Sequence, residues 1–339
     1  MRVLLFKPGA IGDLLQLSPV VRAIKERVPD ARIALMVGSP ATAGLFVHNP
    51  LVDEVLVFDR NGEHRSWRAF GKLWKLVRGR QFDLVVNYQR SNLRGWLLAA
   101  ASLPCWLLVY QKARGRVVHA VENHLETVAP LGIDPQTADH RLELHLGAED
   151  VRWAGELLAR EGLAGRPAAA LVLGASHAVN RWPTGNFAEL ARRLDSELGV
   201  ASVFVGGAQD RELADAVAAG CAGARVIDLV GCASLLQTGA VLARCAVAVS
   251  GDTGPMHMAT AVGTRVVALF GPADPLRTGP MGEGHVVLRA RELPCVPCRS
   301  RECRHVPYLE CMERIGVDAV LEAVRSIVRK GDGVGPPTP

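Results

Sequence analysis

Short, continuously apolar runs bounded by glycine, proline or charged residues alternate along this chain with longer stretches whose apolar positions recur at helical spacing. In the first half the runs predict strands at Arg2–Lys7, Ala31–Val37, Glu54–Phe58, Asp83–Asn87 and Trp106–Tyr110, and the periodic stretches predict helices at Gly12–Arg27, Trp67–Val77 and Leu93–Ala101. The rhythm repeats in the second half. Strands are expected at Ala168–Leu173, Ser202–Val205, Arg225–Asp228, Ala246–Val249 and Arg265–Phe270, with helices at Asn186–Glu197, Asp210–Ala219, Leu235–Arg244 and Pro255–Val262. Strands that are apolar throughout are buried on both faces, which implies parallel sheets covered by helices on each side.

A chain of 339 residues exceeds one ordinary core. The expected fold is α/β, with two Rossmann-like domains facing across a cleft, 1–160 and 161–330. The stretch Ala148–Arg160 and Gly165-Arg166-Pro167 reads as the connector, and the Gly/Pro-rich tail 331–339 is expected to fray. Ligands of such folds gather at the carboxyl ends of the strands.

Net charge is +5 and 5% of residues are aromatic, with no interleaving of aromatics and arginines, so nucleic acid is not an expected partner. Met1–Phe6 is too short for a secretory signal, and Lys7-Pro8-Gly9 interrupts it. The most apolar stretch, Gly95–Tyr110, contains Pro104 and falls short of the roughly 20 residues that cross a bilayer. It reads as a buried helix followed by a strand. A cytoplasmic location is therefore expected, and with it reduced cysteines.

Two loops carry candidate chemistry. Ser250-Gly251-Asp252-Thr253-Gly254-Pro255-Met256-His257 leads from an apolar strand into a small-residue helix. Such a turn aims unpaired N–H groups and the positive end of the helix dipole at one spot, as phosphate binding requires; a simple capped strand–helix turn uses the same residues. Near the start, Lys7-Pro8-Gly9-Ala10-Ile11-Gly12-Asp13 is neither a P-loop nor G-x-G-x-x-G. Gly9 and Gly12 flank Ala10 and Ile11 and permit close backbone approach by a ligand. Asp13 then enters a helix, where it can take a proton from a hydroxyl or merely satisfy the dipole.

Lys7–Ile24 and Ser250–Val262, with Asn180-Arg181-Trp182-Pro183 between them, resemble glycosyltransferase family 9, the ADP-heptose:lipopolysaccharide heptosyltransferases, and the resemblance extends over essentially the whole chain. It implies a GT-B glycosyltransferase fold and an inverting transfer of heptose from ADP-heptose to the lipopolysaccharide core, with no metal or other cofactor. Asp13 matches the family's proposed general base. Asp252, Thr253, Gly254, Pro255 and His257 match the loop around the nucleotide diphosphate. Ser176 and His177 fall where small hydroxyl residues meet phosphate, Gln209 or Asp210 where an acid meets the ribose, and Ala233 where a residue packs on the base. The resemblance breaks at Asn180, where many relatives carry a lysine that neutralises diphosphate; Arg181 beside it can substitute through bidentate pairing, or be solvated while Trp182-Pro183 start a helix. A transferase using another nucleotide-linked sugar, and a non-catalytic nucleotide-sugar binder, fit the same motifs.

Cys295, Cys298, Cys303 and Cys311 form a dense cluster that suits either metal ligation or a reduced, packed loop. The other four cysteines have apolar surroundings and read as core. Arg65–Arg80 holds six basic residues and no acid, with Trp67, Phe70, Leu73, Trp74 and Val77 at helical spacing. Such a helix suits peripheral contact with the inner membrane, and equally a helix docked on a sheet with its charges in water.

Overall fold

The computed structural model describes residues 1–89 and 93–331. The chain divides at His145/Leu146 into two compact units. In the first, β1 (Arg2–Phe6), β2 (Arg32–Val37), β3 (Glu54–Val57), β4 (Leu84–Asn87) and β5 (Trp106–Val109) form a parallel sheet in the order β3-β2-β1-β4-β5. Phe6 stands opposite Met36 on one side and Asn87 on the other. Helices Trp67–Arg80 and Leu93–Ala100 cover one face of the sheet. Phe70, Leu73, Val77, Leu98 and Ala99 pack there with Leu4, Phe6, Met36, Phe58 and Val85.

The helix expected over Gly12–Arg27 is two helices, Ile11–Leu15 and Ser18–Arg27. Pro19 has no N–H to offer Leu15 O four residues back. The Ser18 hydroxyl donates to that carbonyl instead, at 2.7 Å, and the axis breaks there. Gly95–Tyr110 divides into a helix and β5 as its proline suggested, but the helix is not buried as expected: only its Gly95, Leu98 and Ala99 face the core, while Leu93 and Leu97 stay exposed, because the helix covers the sheet with one side alone. Among the described residues no helix is long and apolar enough to cross a membrane.

The second unit holds β6 (Ala168–Val172), β7 (Ala201–Val205), β8 (Val226–Asp228), β9 (Val247–Gly251), β10 (Val266–Leu269) and β11 (Val286–Leu288), all parallel, in the order β11-β10-β9-β6-β7-β8. The short edge strand β11 was not read from the sequence. Nor was the helix Val317–Gly331, although Val317, Val320, Leu321, Val324 and Ile327 recur at helical spacing; all five are buried in the core with Trp182, Phe187 and Leu190. Helix Ala148–Arg160, read as a connector closing the first domain at 160, belongs to the second unit. It packs on Leu235–Leu242, and Arg244 donates to Val151 O at 3.2 Å. The tail read as fraying, 331–339, lies from residue 332 onward outside the described residues.

Trp182 is the bolt of this core. Its indole N–H donates to Ile315 O at 2.9 Å, and its ring meets Phe187 edge-on at 5.0 Å. Trp182→Ala removes a fully enclosed aromatic and orphans that carbonyl. It is expected to destabilise the second unit by about 3–5 kcal/mol in urea unfolding; a loss below about 1 kcal/mol would show that the packing is not what holds the C-terminal helix.

Candidate functional site

In each sheet the chain leaves a central strand in both directions. β1 lies between β2 and β4, and β6 lies between β9 and β7. Loops leaving the carboxyl ends at such a point diverge to opposite faces and leave a crevice where ligands bind. The candidate loops follow these strands.

In the first unit the β1 loop folds tightly. Gly9 N–H donates to Lys7 O at 2.8 Å, and a Cβ on Gly9 would lie 2.8 Å from Asp13 Cβ and 3.1 Å from its Oδ2. Only glycine lets Asp13 come this close. Ala10 stands at the N-cap, and Ile11 and Gly12 begin the short helix that carries Asp13 in its first turn. The Asp13 side chain is 48% exposed, and Oδ1 is paired with Lys7 Nζ at 3.2 Å. A carboxylate held at one oxygen by an ammonium and open to solvent can receive a proton from an approaching hydroxyl.

Lys7 is itself held from behind by groups the sequence did not disclose. Its ammonium lies 3.4 Å from His124 Nε2 and 5.8 Å from the centroid of the Tyr110 ring. His124 Nδ1 lies 3.3 Å from Gln16 O. An ammonium has no lone pair, so His124 accepts at Nε2, carries its proton on Nδ1 and donates to Gln16. Burial, reinforced by the Lys7 charge, pushes the His124 pKa down to about 3, which keeps the ring neutral. Tyr88 meets that ring edge-on at 5.1 Å and donates its hydroxyl to His124 O at 3.1 Å; burial raises the Tyr88 pKa. His124 arrives on helix Ala120–Val128, more than a hundred residues from Lys7, so no local pattern pointed to it.

In the second unit the loops after β6, β7, β8 and β9 touch in series. Asn180 donates from Nδ2 to Asp252 O at 3.3 Å, and a Cβ on Gly251 would strike Asn180 O. A Cβ on Gly174 would overlap the Asp210 carboxylate, which accepts from Gly207 N–H at 3.0 Å. Gly231 N–H donates to Gly206 O at 3.1 Å. Helix Gly254–Ala261 starts behind Thr253 with no side-chain cap, and Pro255 sits in its first turn. With Pro255 lacking an N–H and Met256 N–H donating to Thr253 O at 3.2 Å, the backbone of Thr253 and Gly254 is what this helix start can offer an anion. Asp252 is fixed by the Thr278 hydroxyl at 3.1 Å.

The structure sorts the remaining candidates. Ser176 and His177 are exposed on the β6 loop, Gln209 is exposed on the β7 loop, and Ala233 is half-buried on the β8 loop. Asp210 is enclosed and accepts from Gly207 N–H and from the Gln209 amide at 3.2 Å, and Gln209 is the more exposed of the pair. His257 is also buried, one turn inside its helix. Arg181 is half-buried: it donates to Ala175 O at 3.2 Å, and its Nε is enclosed without a partner. Trp182 is core, as described above.

Cys221 and Cys245 are buried as expected, Cys105 is half-buried, and Cys232 is exposed, contrary to its apolar surroundings in sequence. Cys295, Cys298, Cys303 and Cys311 are free thiols. Burial and the three neighbouring sulfurs push the Cys311 thiol up to about 11. Among the described residues no group of three or more His, Cys, Asp or Glu side chains is arranged to hold a metal ion.

Comparison with known proteins supplies the context. The profile of glycosyltransferase family 9 (heptosyltransferase) matches residues 70–309. Lipopolysaccharide heptosyltransferase 1 of Pseudomonas aeruginosa is 28% identical over 91% of this chain and 89% of its own length. Two solved structures share the fold. A glycosyl transferase family 9 protein of Veillonella parvula has a TM-score of 0.86 at 22% identity, covering 97% of each chain. The ADP-heptose LPS heptosyltransferase II of E. coli has a TM-score of 0.79 at 22% identity, covering 98% of this chain and 100% of its own.

The neutral state of His124 has a measurable consequence. Its pKa is about 3 folded and about 6.5 unfolded, so the unfolded chain binds the extra proton as pH falls below about 6.5. Stability is whole above that value and drops by about 1.4 kcal/mol per pH unit between roughly 6.5 and 3, or about 2 kcal/mol at pH 5. His124→Gln, which keeps an acceptor for Lys7, is expected to flatten this slope in unfolding curves recorded from pH 8 to 5. Parallel slopes for both proteins would refute a neutral buried imidazole.

Proposed function

The chain belongs to glycosyltransferase family 9 (heptosyltransferase), and from that premise we propose that it moves a heptose from ADP-heptose to the lipopolysaccharide inner core with inversion at the anomeric carbon. Asp13 takes the proton of the acceptor hydroxyl as that oxygen attacks, and the ADP departs from the opposite side of the sugar. Charge growing on the departing diphosphate is met by the backbone N–H groups of Thr253 and Gly254 at the uncapped helix start, with Arg181 supplying a positive charge from the adjoining loop. Ser176, His177, Asn180, Gln209, Asp252 and Ala233 complete the donor side. The chemistry uses no metal. We place the enzyme in the cytoplasm, in peripheral contact with the cytoplasmic face of the inner membrane, where such an acceptor presents its sugar.

The observation that carries this reading is the meeting of the β6 and β9 loops at the centre of the second sheet. Asn180 packs on Gly251 and Asp252 there, beside a helix N-terminus with no cap and an arginine with an unpartnered Nε. Few ligands other than a phosphate-bearing one suit that combination. The ADP-heptose named for the E. coli structure supports the choice of nucleotide and sugar.

Three measurements test it. Asp13→Ala is expected to cut transfer by about 10²–10⁴-fold while the ADP dissociation constant stays within about twofold; equal loss of both would remove Asp13 from the role of base. Arg181→Ala is expected to weaken ADP binding about tenfold or more, equivalent to about 1.4 kcal/mol. Calorimetric titration of ADP, UDP and GDP into the protein should favour ADP, and a preference for either of the others would replace the donor.

A further inference from the structure

Between Glu63 and Glu122 the sequence carries eleven basic residues against one acid, Asp83, in a chain whose total is only +5. The remainder is therefore net acidic, and the positive charge is concentrated on one segment. The same segment holds most of the large apolar side chains left exposed among the described residues. Soluble surfaces seldom combine the two without a partner.

The two helices of this segment present one continuous surface. Helix Trp67–Arg80 commits Phe70, Leu73 and Val77 to the core, yet Trp67 remains 62% exposed and Trp74 stays at the surface. The Trp74 indole donates to Leu97 O at 3.1 Å, and Arg78 donates to Ala101 O at 3.1 Å and to Leu103 O. The Arg94 guanidinium stacks 4.3 Å from the Trp67 ring. Leu93, 71% exposed, and Leu97 extend the apolar area along the second helix. It continues onto the sheet edge at β5, where Leu107 shares a face with Val85 beneath the helices; Trp106, opposite Leu84, is exposed on the other face of that edge. Arg68, Lys72 and Lys75 form an exposed stripe beside the tryptophans.

We propose that this face docks on an anionic bilayer, with Trp67, Trp74, Leu93 and Leu97 entering the headgroup region and Arg68, Lys72 and Lys75 meeting lipid phosphates. Charge decides between occupants. A second copy of the chain would bring the same positive stripe against itself, a repulsive pairing in any two-fold contact, whereas anionic headgroups neutralise it. Tryptophan, apolar with one polar N–H, suits the interface between headgroups and acyl chains. Both helices also begin at the carboxyl edge of the first sheet, the edge that carries Asp13, so docking brings that edge to the membrane surface. The inference deepens the peripheral contact proposed above and rests on that reading for its choice of membrane.

The test is sedimentation of the full chain with vesicles, no donor or acceptor present. Partitioning is expected to be about tenfold or more stronger on phosphatidylethanolamine/phosphatidylglycerol vesicles than on phosphatidylcholine, to fall in 0.5 M salt, and to shift tryptophan emission to the blue. Lys72→Glu with Lys75→Glu, and separately Trp67→Ser with Trp74→Ser, are each expected to reduce it about tenfold or more while the ADP affinity stays unchanged and both variants remain folded by circular dichroism. Equal partitioning on neutral and anionic vesicles, absence of binding, or unchanged binding by both folded variants overturns the proposal. So does self-association on gel filtration that Trp67→Ser with Trp74→Ser abolishes. Failure of vesicle binding leaves the transfer reading standing, because Asp13→Ala is assayed on a detergent-solubilised acceptor.

Discussion

A parallel sheet whose chain runs outward from its centre in both directions leaves one place where neighbouring loops part rather than cover each other. Both units are built on that constraint. The connections out of β1 and β6 reach one set of neighbours, and later crossovers return to the other side, at β4 and β9. Helices of opposite-going crossovers lie on opposite faces, so the carboxyl ends of the central strands stay open. Asp13 follows β1 directly, and the uncapped helix start follows β9 beside the β6 loop. The chemistry assigned to these residues depends first on where the strand order turns.

At those open ends the backbone is brought to distances that a side chain would forbid. Glycine at position 9 admits Asp13, glycine at 174 admits the Asp210 carboxylate, and glycine at 251 admits the Asn180 carbonyl. The approach at Gly9 tightens a single loop, while those at Gly174 and Gly251 bring neighbouring loops together, and at Gly251 Asn180 adds a hydrogen bond to Asp252 O. The same economy explains why two acidic residues with similar positions after a strand differ in fate. Asp13 has a cationic neighbour and solvent. Asp210 has the Gly207 N–H and burial, and its role is to shape the loop.

The cationic neighbour of Asp13 depends in turn on a histidine that cannot charge. A protonated His124 would repel Lys7, and burial against Tyr88 and Tyr110 makes the neutral form the stable one despite the Gln16 carbonyl, which favours the charged ring. The ammonium then gains an acceptor behind it and a carboxylate in front of it. Elsewhere in the same unit Arg78 and Arg94 are tied to backbone carbonyls, whereas Arg68, Lys72 and Lys75 stand exposed beside apolar side chains.

Local sequence determined much of this. The apolar runs marked ten of the eleven strands within a residue or two, because central strands buried on both faces are continuously apolar and even the more exposed β3, β5 and β8 keep short apolar runs, and the Gly-Asp and Asp-Thr-Gly-Pro motifs marked the loops because their residue types fit only a few backbone conformations. What periodicity reports is which residues share a face, never what covers it. Trp67 and Phe70 belong to one apolar pattern, and only the packing of the helix on the sheet separates Phe70 as core from Trp67 as surface. His124 beside Lys7, the burial of Asp210 and His257, the inward turn of Arg181 and the allegiance of helix Ala148–Arg160 to the second unit were settled by contacts between segments far apart in the chain. Those contacts exist only once burial has chosen among equally apolar faces, and so no reading of neighbours along the chain contains them.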